Sequence, residues 1–264
     1  MPIYLNEIVA RKRIRLEEKN LSIDKLKEII KFTPSRPSFY DALKKDGLSI
    51  IGEVKKASPS KGLIKADFTP VELAKQYEQC VECVSVLTEE DYFLGSDIYL
   101  ADISHEISLP TLCKDFIIDP VQIYNAKALG ASCVLLIVNI LSDSTLKEFL
   151  DLATELGLDA LVETHTKEEI ESAVAAGAKI IGVNNRNLST FKTSIDVTLD
   201  LAKYVPEDCI MVSESGILSP QDVEVLSYVD IDAILVGENF MRSDDIIQSA
   251  KDLKAAYRRM NDKN

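Results

Sequence analysis

Short apolar runs rich in β-branched residues recur along the chain, each followed by a turn and then by a stretch of helical periodicity. The pattern predicts strands over 48–55, 84–88, 111–114, 133–139, 160–163, 180–184, 210–214 and 233–237. Between them it predicts helices over segments such as 70–79, 121–129, 145–156, 168–176 and 222–228. Inside each strand run the apolar residues are continuous rather than alternating, as a sheet covered on both faces requires. Successive runs lie roughly 20 to 30-odd residues apart, the length of a strand, a right-handed crossover and its return. Eight such units with no low-complexity linker predict an α/β chain, one domain over 1–264, in which 48–264 form a single (β/α)8 TIM barrel.

Local punctuation agrees with that division. Asp119-Pro120 and Ser219-Pro220 read as helix starts, a capping side chain followed by proline at the first helical position. Gly130, Gly157 and Gly177 each follow an amphipathic segment, as glycine does beyond a helix end. Residues 1–47 precede the first strand as an N-terminal helical extension whose charged part, 11–19, is amphipathic. Two readings stand for it: a solvated face, or a cap folded over one mouth of the barrel.

The polar residues fall in a second pattern. Strand interiors are nearly free of charge, yet the runs end in Glu53 and Lys55, in Lys114-Asp115, in Glu163, in Asn184-Asn185-Arg186 and in Ser213-Glu214-Ser215-Gly216. In a parallel barrel these are the C-terminal strand ends, where catalytic groups gather. Solubility alone does not explain charges at the same end of several buried strands. Glu53 and Lys55 are two apart, so they share a face about 6.6 Å apart along the strand, and each favours the other's charged form. Lys114 and Glu163 extend this into a charge network suited to acid–base chemistry. Ser215-Gly216 and Gly237-Glu238 supply glycine turns after the last two strands, a place where backbone N–H groups bind phosphate.

Composition narrows the partners. Of the 264 residues 43 are acidic and 30 basic, a net charge of −13, which disfavours nucleic acid and anionic membrane surfaces while leaving a local basic pocket open. No apolar run nears the roughly 20 residues a membrane span needs, and the N-terminus carries no leader pattern, so a cytoplasmic protein is expected. The five cysteines suit buried thiols better than a disulfide framework, and Cys80-x-x-Cys83 has no second pair to complete a zinc site. With only His105 and His165 a histidine-rich metal centre is not expected, nor is any other cofactor.

The strings at these strand ends are distinctive. They are Ile51-Gly-Glu-Val-Lys-Lys-Ala-Ser-Pro-Ser-Lys-Gly62, Ser85-Val-Leu-Thr88 with Tyr92-Phe-Leu-Gly-Ser96, and Lys114-Asp-Phe-Ile-Ile-Asp-Pro120. Leu135-Leu-Ile-Val138, Leu161-Val-Glu163 and Ile181-Gly-Val-Asn-Asn-Arg-Asn-Leu188 follow, then Val212-Ser-Glu-Ser-Gly216 and Leu235-Val-Gly-Glu238. In order and spacing the chain resembles the indole-3-glycerol phosphate synthases over nearly its whole length.

That resemblance implies a phosphosugar substrate, 1-(2-carboxyphenylamino)-1-deoxyribulose 5-phosphate, closed to indole-3-glycerol phosphate with loss of carbon dioxide and water, a step of tryptophan biosynthesis. It implies Lys114 as the acid on the carbonyl oxygen, Glu163 as the base of the dehydration, and Lys55 as carboxylate anchor and donor to the leaving hydroxyl. Glu53, Asn184 and Glu214 match positions that orient these groups, and Arg186 one that stabilises the charged cluster. Phe93, Phe116, Leu135 and Leu188 would hold the aromatic ring. Ser215, Gly216, Gly237 and Glu238 would bind phosphate, with the Glu238 carboxylate turned away. Ser58 belongs to a segment, 58–62, expected to form a mobile loop hinged at Gly62. Cys113 stands where the family frequently has arginine or another long side chain, Asn239-Phe240 replaces the commoner small residue plus leucine, and Asn139 falls where the family varies. The substrate is expected to be the partner of a monomer. Alternatives are another phosphosugar-binding barrel lyase or isomerase, a Schiff-base aldolase using Lys55 or Lys114, and a relative that binds without catalysis.

Overall fold

The computed structural model describes residues 3–59, 62–64, 67–187 and 192–257, with no side-chain placement for 3 and 4. Eight parallel strands close on themselves: β1 Ser49–Val54, β2 Cys83–Leu87, β3 Thr111–Lys114, β4 Cys133–Ile137, β5 Asp159–Thr164, β6 Ile180–Asn184, β7 Ile210–Glu214 and β8 Ala233–Val236. Closure is made where β1 lies with Ser49 opposite Ala233 of β8 and Ile51 opposite Cys83 of β2. Three helices, α1 Ile3–Lys19, α2 Ile23–Ile30 and α3 Phe39–Leu43, precede the barrel. Around it lie α4 Pro70–Tyr77, α5 Asp97–Glu106, α6 Pro120–Ala128, α7 Asp143–Glu155, α8 Lys167–Ala176, α9 Asp196–Leu201, α10 Pro220–Leu226, α11 Glu238–Arg242 and α12 Ile246–Ala256. The architecture is the (β/α)8 TIM barrel with an N-terminal helical extension.

All eight predicted strands are present, and the differences have local causes. The run at 133–139 is shorter as a strand, because the chain turns into a 3-10 helix at Val138–Ile140 while Val138 stays buried. Apolar character there continued past the strand because the turn also faces the core. The helices that start at Asp119-Pro120 and Ser219-Pro220 carry full capping boxes, closed by Gln122 and Asp222, whereas α4, also headed by proline, has no side-chain cap. Helix α5 escaped the periodicity because its stripe is broken: Leu100 and Ile103 are buried while Ile98 is exposed.

Strand parity sorts every inward residue from every outward one. One set, including Ile51, Cys83, Leu112, Leu135, Leu161 and Val212, packs inside the barrel. The alternate set, including Ile50, Val86, Val134, Val162, Val183 and Ile234, packs between sheet and helices. Glu53, Lys114, Glu163, Asn184 and Glu214 share the parity of the inward set and lie at its C-terminal end. The barrel interior is thus apolar at one end and charged at the other.

The extension is not a solvated face, and it covers both ends. Lys12 of α1 is buried and meets Asp115, at the end of β3, at 2.7 Å. Arg11 and Arg15 bind Asp91 at 3.3 and 2.7 Å, and Lys19 binds Asp97 at 2.8 Å. Leu5 and Ile8 of the same helix face the cavity at the C-terminal strand ends. After α2 the chain reaches the opposite end, where Phe39 and Leu43 enter the interior cluster. Asp159 at the start of β5 fixes that plug: its Oδ2 accepts the Phe39 and Tyr40 N–H groups at 2.7 and 3.0 Å and the Ser38 hydroxyl at 3.1 Å.

Candidate active site

A cavity of about 610 Å³ opens at the C-terminal strand ends. Glu53, Lys55, Ser58, Phe93, Lys114, Phe116, Leu135, Glu163, Asn184, Arg186, Glu214, Ser215, Gly216, Gly237 and Glu238 all line it, and Leu188 lies outside the described residues. Of the 58–62 segment, Ser60 and Lys61 also lie outside them, so its expected motion has no structural counterpart to describe.

At the centre stands Lys114. Its Nζ lies 2.5 Å from Glu214 Oε2 and 3.2 Å from Glu163 Oε2. Burial would lower its pKa, but the Glu214, Glu163 and Glu53 carboxylates outweigh that and hold the ammonium well above the ordinary lysine value. The two acids part company, as close buried carboxylates do. Glu214 is pushed up to about 7, first by burial, which the attraction of Lys114 only partly offsets. Its Oε1 is buried against the backbone of Gly182, where a Cβ would stand 2.1 Å away, and finds no hydrogen-bond partner among the described residues. Glu163 is equally buried, yet Lys114, His165 and the amide of Asn184 keep it below the usual carboxylate range. Asn184 Nδ2 donates to Glu163 Oε1 at 3.0 Å, and Asn184 Oδ1 accepts the Arg186 N–H at 3.0 Å. Across the cavity Lys55 is ion-paired to Glu53.

One wall is apolar. Phe93 and Phe116 lie 6.0 Å apart with planes tilted by 38°, beside Leu135. Each ring is held by a buried carboxylate that turns its backbone. Asp115 accepts the Phe116 N–H at 2.7 Å while bound to Lys12 and to the Thr88 hydroxyl. Glu89 accepts the N–H groups of Asp91, Tyr92 and Phe93.

The opposite wall is a backbone turn. Ser215 and Gly216 have φ of 66° and 80°, and a left-handed serine is a strained choice that marks a specialised turn. Asn185 braces it, donating to the Ser215 carbonyl and the Ser213 hydroxyl, both at 3.0 Å. Gly237 follows β8, and a Cβ there would stand 2.4 Å from Glu53 Oε2. Glu238 turns its carboxylate to Arg242 at 2.9 Å. We expect Gly237→Ala to displace Glu53 from Lys55 and to cost about tenfold in kcat/KM, near 1.4 kcal/mol. Steady-state kinetics check this, and an unchanged kcat/KM would show that the turn has slack.

Sequence reading missed several members of this site. His165 was weighed only as a metal ligand, although it stands two residues beyond Glu163, the same spacing that singled out Glu53 and Lys55. Lys12, Leu5 and Ile8 gave no signal of their own, because nothing in a helix says which surface it will cover.

The family model described as indole-3-glycerol phosphate synthase matches residues 5–253. The chain belongs to the indole-3-glycerol phosphate synthase family. It is 47% identical over 253 residues to the indole-3-glycerol phosphate synthase of Thermoanaerobacter pseudethanolicus, covering 95% of this chain and 96% of that protein. To the indole-3-glycerol phosphate synthase of Acetivibrio thermocellus it is 46% identical over 263 residues, covering 96% and 100%. Among solved structures the fold is similar to a 3-hexulose-6-phosphate synthase from Salmonella typhimurium, with a TM-score of 0.65 and 15% identity over 80% of this chain and 98% of that one. A 3-keto-L-gulonate-6-phosphate decarboxylase from Vibrio cholerae scores 0.62 at 14% identity, covering 80% and 97%. At such identities the likeness is of fold alone. The barrel of this indole-3-glycerol phosphate synthase family member is therefore shared with proteins of low sequence identity.

Proposed function

We infer that this chain catalyses the reaction of its family, converting 1-(2-carboxyphenylamino)-1-deoxyribulose 5-phosphate to indole-3-glycerol phosphate, and we assign the steps to residues as follows. The observation that carries the assignment is the Lys114 ammonium held between Glu163 and Glu214 at 3.2 and 2.5 Å, inside a cavity with one apolar and one backbone-turn wall. The substrate's aromatic ring rests on Phe93, Phe116 and Leu135, and its phosphate on the N–H groups of Ser215, Gly216, Gly237 and Glu238. Lys55 meets the substrate carboxylate and Arg186 balances the charge around it, while Ser58 closes the rim.

As the carboxylate-bearing ring carbon attacks the C2 carbonyl carbon, Lys114 Nζ gives a proton to the carbonyl oxygen. An ammonium held so firmly charged is a poor donor to ordinary oxygens but is matched to a developing alkoxide. It is also no free amine, which weighs against Schiff-base chemistry at this lysine. Loss of carbon dioxide then returns the bond electrons to the ring through the iminium nitrogen. In the last step Glu163 removes a proton and Lys55 protonates the departing hydroxyl. Asn184 orients Glu163, Glu53 orients Lys55, and Glu214 places Lys114. Two protons are given and one is taken back, so each turnover draws one proton from solvent, matching the carboxylate lost as neutral carbon dioxide.

The protein is further read as a cytoplasmic monomer, one domain throughout, with the phosphosugar as its partner and no nucleic acid or membrane among them. No helix among the described residues is long and apolar enough to cross a membrane. Purified protein should turn over the ribulose phosphate with a rise in indole fluorescence, and Glu163→Gln should lose about a hundredfold in kcat, within the usual range for a general base. No fluorescence change with wild-type protein would refute the activity. A near-normal Glu163→Gln would refute the base alone.

A further inference from the structure

We propose that His165, braced by Glu169 and Asn139, is a positioning residue that fixes the orientation and the ionised state of Glu163. This rests on Glu163 being the base, as assigned above. His165 follows β5 on the same side of the chain as Glu163, and its ring bridges two carboxylates. On one edge Nε2 is buried, has no hydrogen-bond partner among the described residues and stands 3.5 Å from Glu163 Oε1. On the other, Nδ1 lies 3.3 Å from Glu169 Oε2, the same oxygen that accepts the His165 backbone N–H at 2.6 Å. Glu169 Oε1 accepts in turn from Asn139 Nδ2 at 2.9 Å. Asn139 thus ends a chain of contacts that runs through Glu169 and His165 to Glu163.

The geometry favours a doubly protonated ring. A neutral imidazole carries one N–H and one lone pair. Whichever edge took the lone pair would turn it on a carboxylate oxygen in a nearly dry pocket. Only the imidazolium presents a proton to both. The electrostatics agree: burial lowers the His165 pKa, but Glu169 and Glu163, with a smaller contribution from Glu214, raise it above the ordinary histidine value. The titratable and charged groups facing the ring are Glu163 on β5 and Glu169 on α8, with Glu214 on β7 and Lys114 on β3 behind Glu163.

The reaction gives this ring a task. Once Lys114 has donated its proton, Glu163 and Glu214 share a buried site with no cation between them, and one is drawn towards protonation. A cation on the far side of Glu163 keeps that carboxylate basic for the dehydration that follows.

The chain has only two histidines, and His105 is largely exposed, so both imidazoles can be followed by NMR in wild-type protein, with His105→Gln as the assignment control. His165 should titrate above the ordinary histidine value, and Glu163→Gln should lower its titration. In His165→Gln and His165→Ala the acid limb of kcat/KM should move to higher pH, by about half to one unit, because a base that loses a neighbouring cation needs a higher pH to stay ionised. The rate should therefore fall about three- to tenfold more below the midpoint of that limb than on the plateau above it. A purely structural role would lower activity equally at both. A His165 that titrates at or below the ordinary histidine value, or an acid limb unmoved in the folded variants, overturns the proposal. The wild-type titration decides even if the alanine variant fails to fold. Near-normal activity of Glu163→Gln would instead remove the base assignment, leaving the measured His165–Glu163 coupling as a separate fact.

Discussion

Lys114→Ala should lose at least about a thousandfold in kcat/KM, on the order of 4 kcal/mol of transition-state stabilisation. Removal of a general acid alone accounts for about a hundred- to ten-thousandfold. Here a second loss is built in, because the ammonium is also what holds two carboxylates apart in charge state. Without it Glu163 and Glu214 face one another buried and uncompensated, Glu163 drifts towards protonation, and the dehydration loses its base. Lys114→Met keeps the length of the chain without its charge and should be as inactive. Both variants should be measured by indole fluorescence over a range of pH, beside thermal unfolding to show that the barrel persists. A buried ion network disturbed on one side costs stability as well, so the comparison belongs at a temperature where each variant is folded. Activity within tenfold of wild type in either folded variant would remove Lys114 from the role of acid.

The strand count was legible because parallel strands buried on both faces must be continuously apolar, and eight runs of that kind leave few alternatives. The charged mouth was legible for a related reason. Glu53, Lys114, Glu163 and Glu214 each end an otherwise apolar run, and a buried strand tolerates a charge only where something polar lies beyond it. Beyond these runs the signal fades. Phe93 and Phe116 are placed by Glu89 and Asp115, acids that look solvated in the sequence and are in fact holding backbone N–H groups. Lys12 reads as part of a charged helix face, and that it is buried against Asp115 depends on where α1 docks. His165 was the avoidable miss, since parity alone sets it beside Glu163.

Net charge and pocket charge answer different questions. An excess of 13 negative charges over the whole chain governs long-range encounters with polyanions. A doubly anionic phosphosugar is met instead by what lines the cavity, where Lys55, Lys114, Arg186 and Lys192 face it. Lys114 is set against Glu163 and Glu214 from other strands, and Lys55 against Glu53 of its own strand. The opposition between an acidic protein and an anionic substrate therefore disappears at the scale of the site, within a Debye length of roughly 8 Å.

Phe39→Ala should destabilise the protein by about 3–5 kcal/mol, the usual cost of emptying a buried phenylalanine site, while leaving kcat/KM of the folded enzyme close to wild type. Phe39 is fully buried in the interior cluster, at the end of the barrel away from the cavity. Its neighbours there are strand residues locked by closure, so the space cannot collapse without bending the sheet. The segment is held as a unit: Asp159 gathers the N–H groups of Phe39 and Tyr40 and the hydroxyl of Ser38. A shortened side chain therefore leaves a cavity rather than a shifted helix. For a chain of this size each kcal/mol corresponds to roughly 2–4 °C, so the melting temperature should fall by about 6–20 °C. Calorimetry beside the fluorescence assay separates the two effects. A large loss of kcat/KM with unchanged stability would show that the two ends of the barrel are coupled. In their separation lies the reason the extension can plug one end while α1 lines the other: the apolar interior layers between them carry packing, and only the charged layer above carries chemistry.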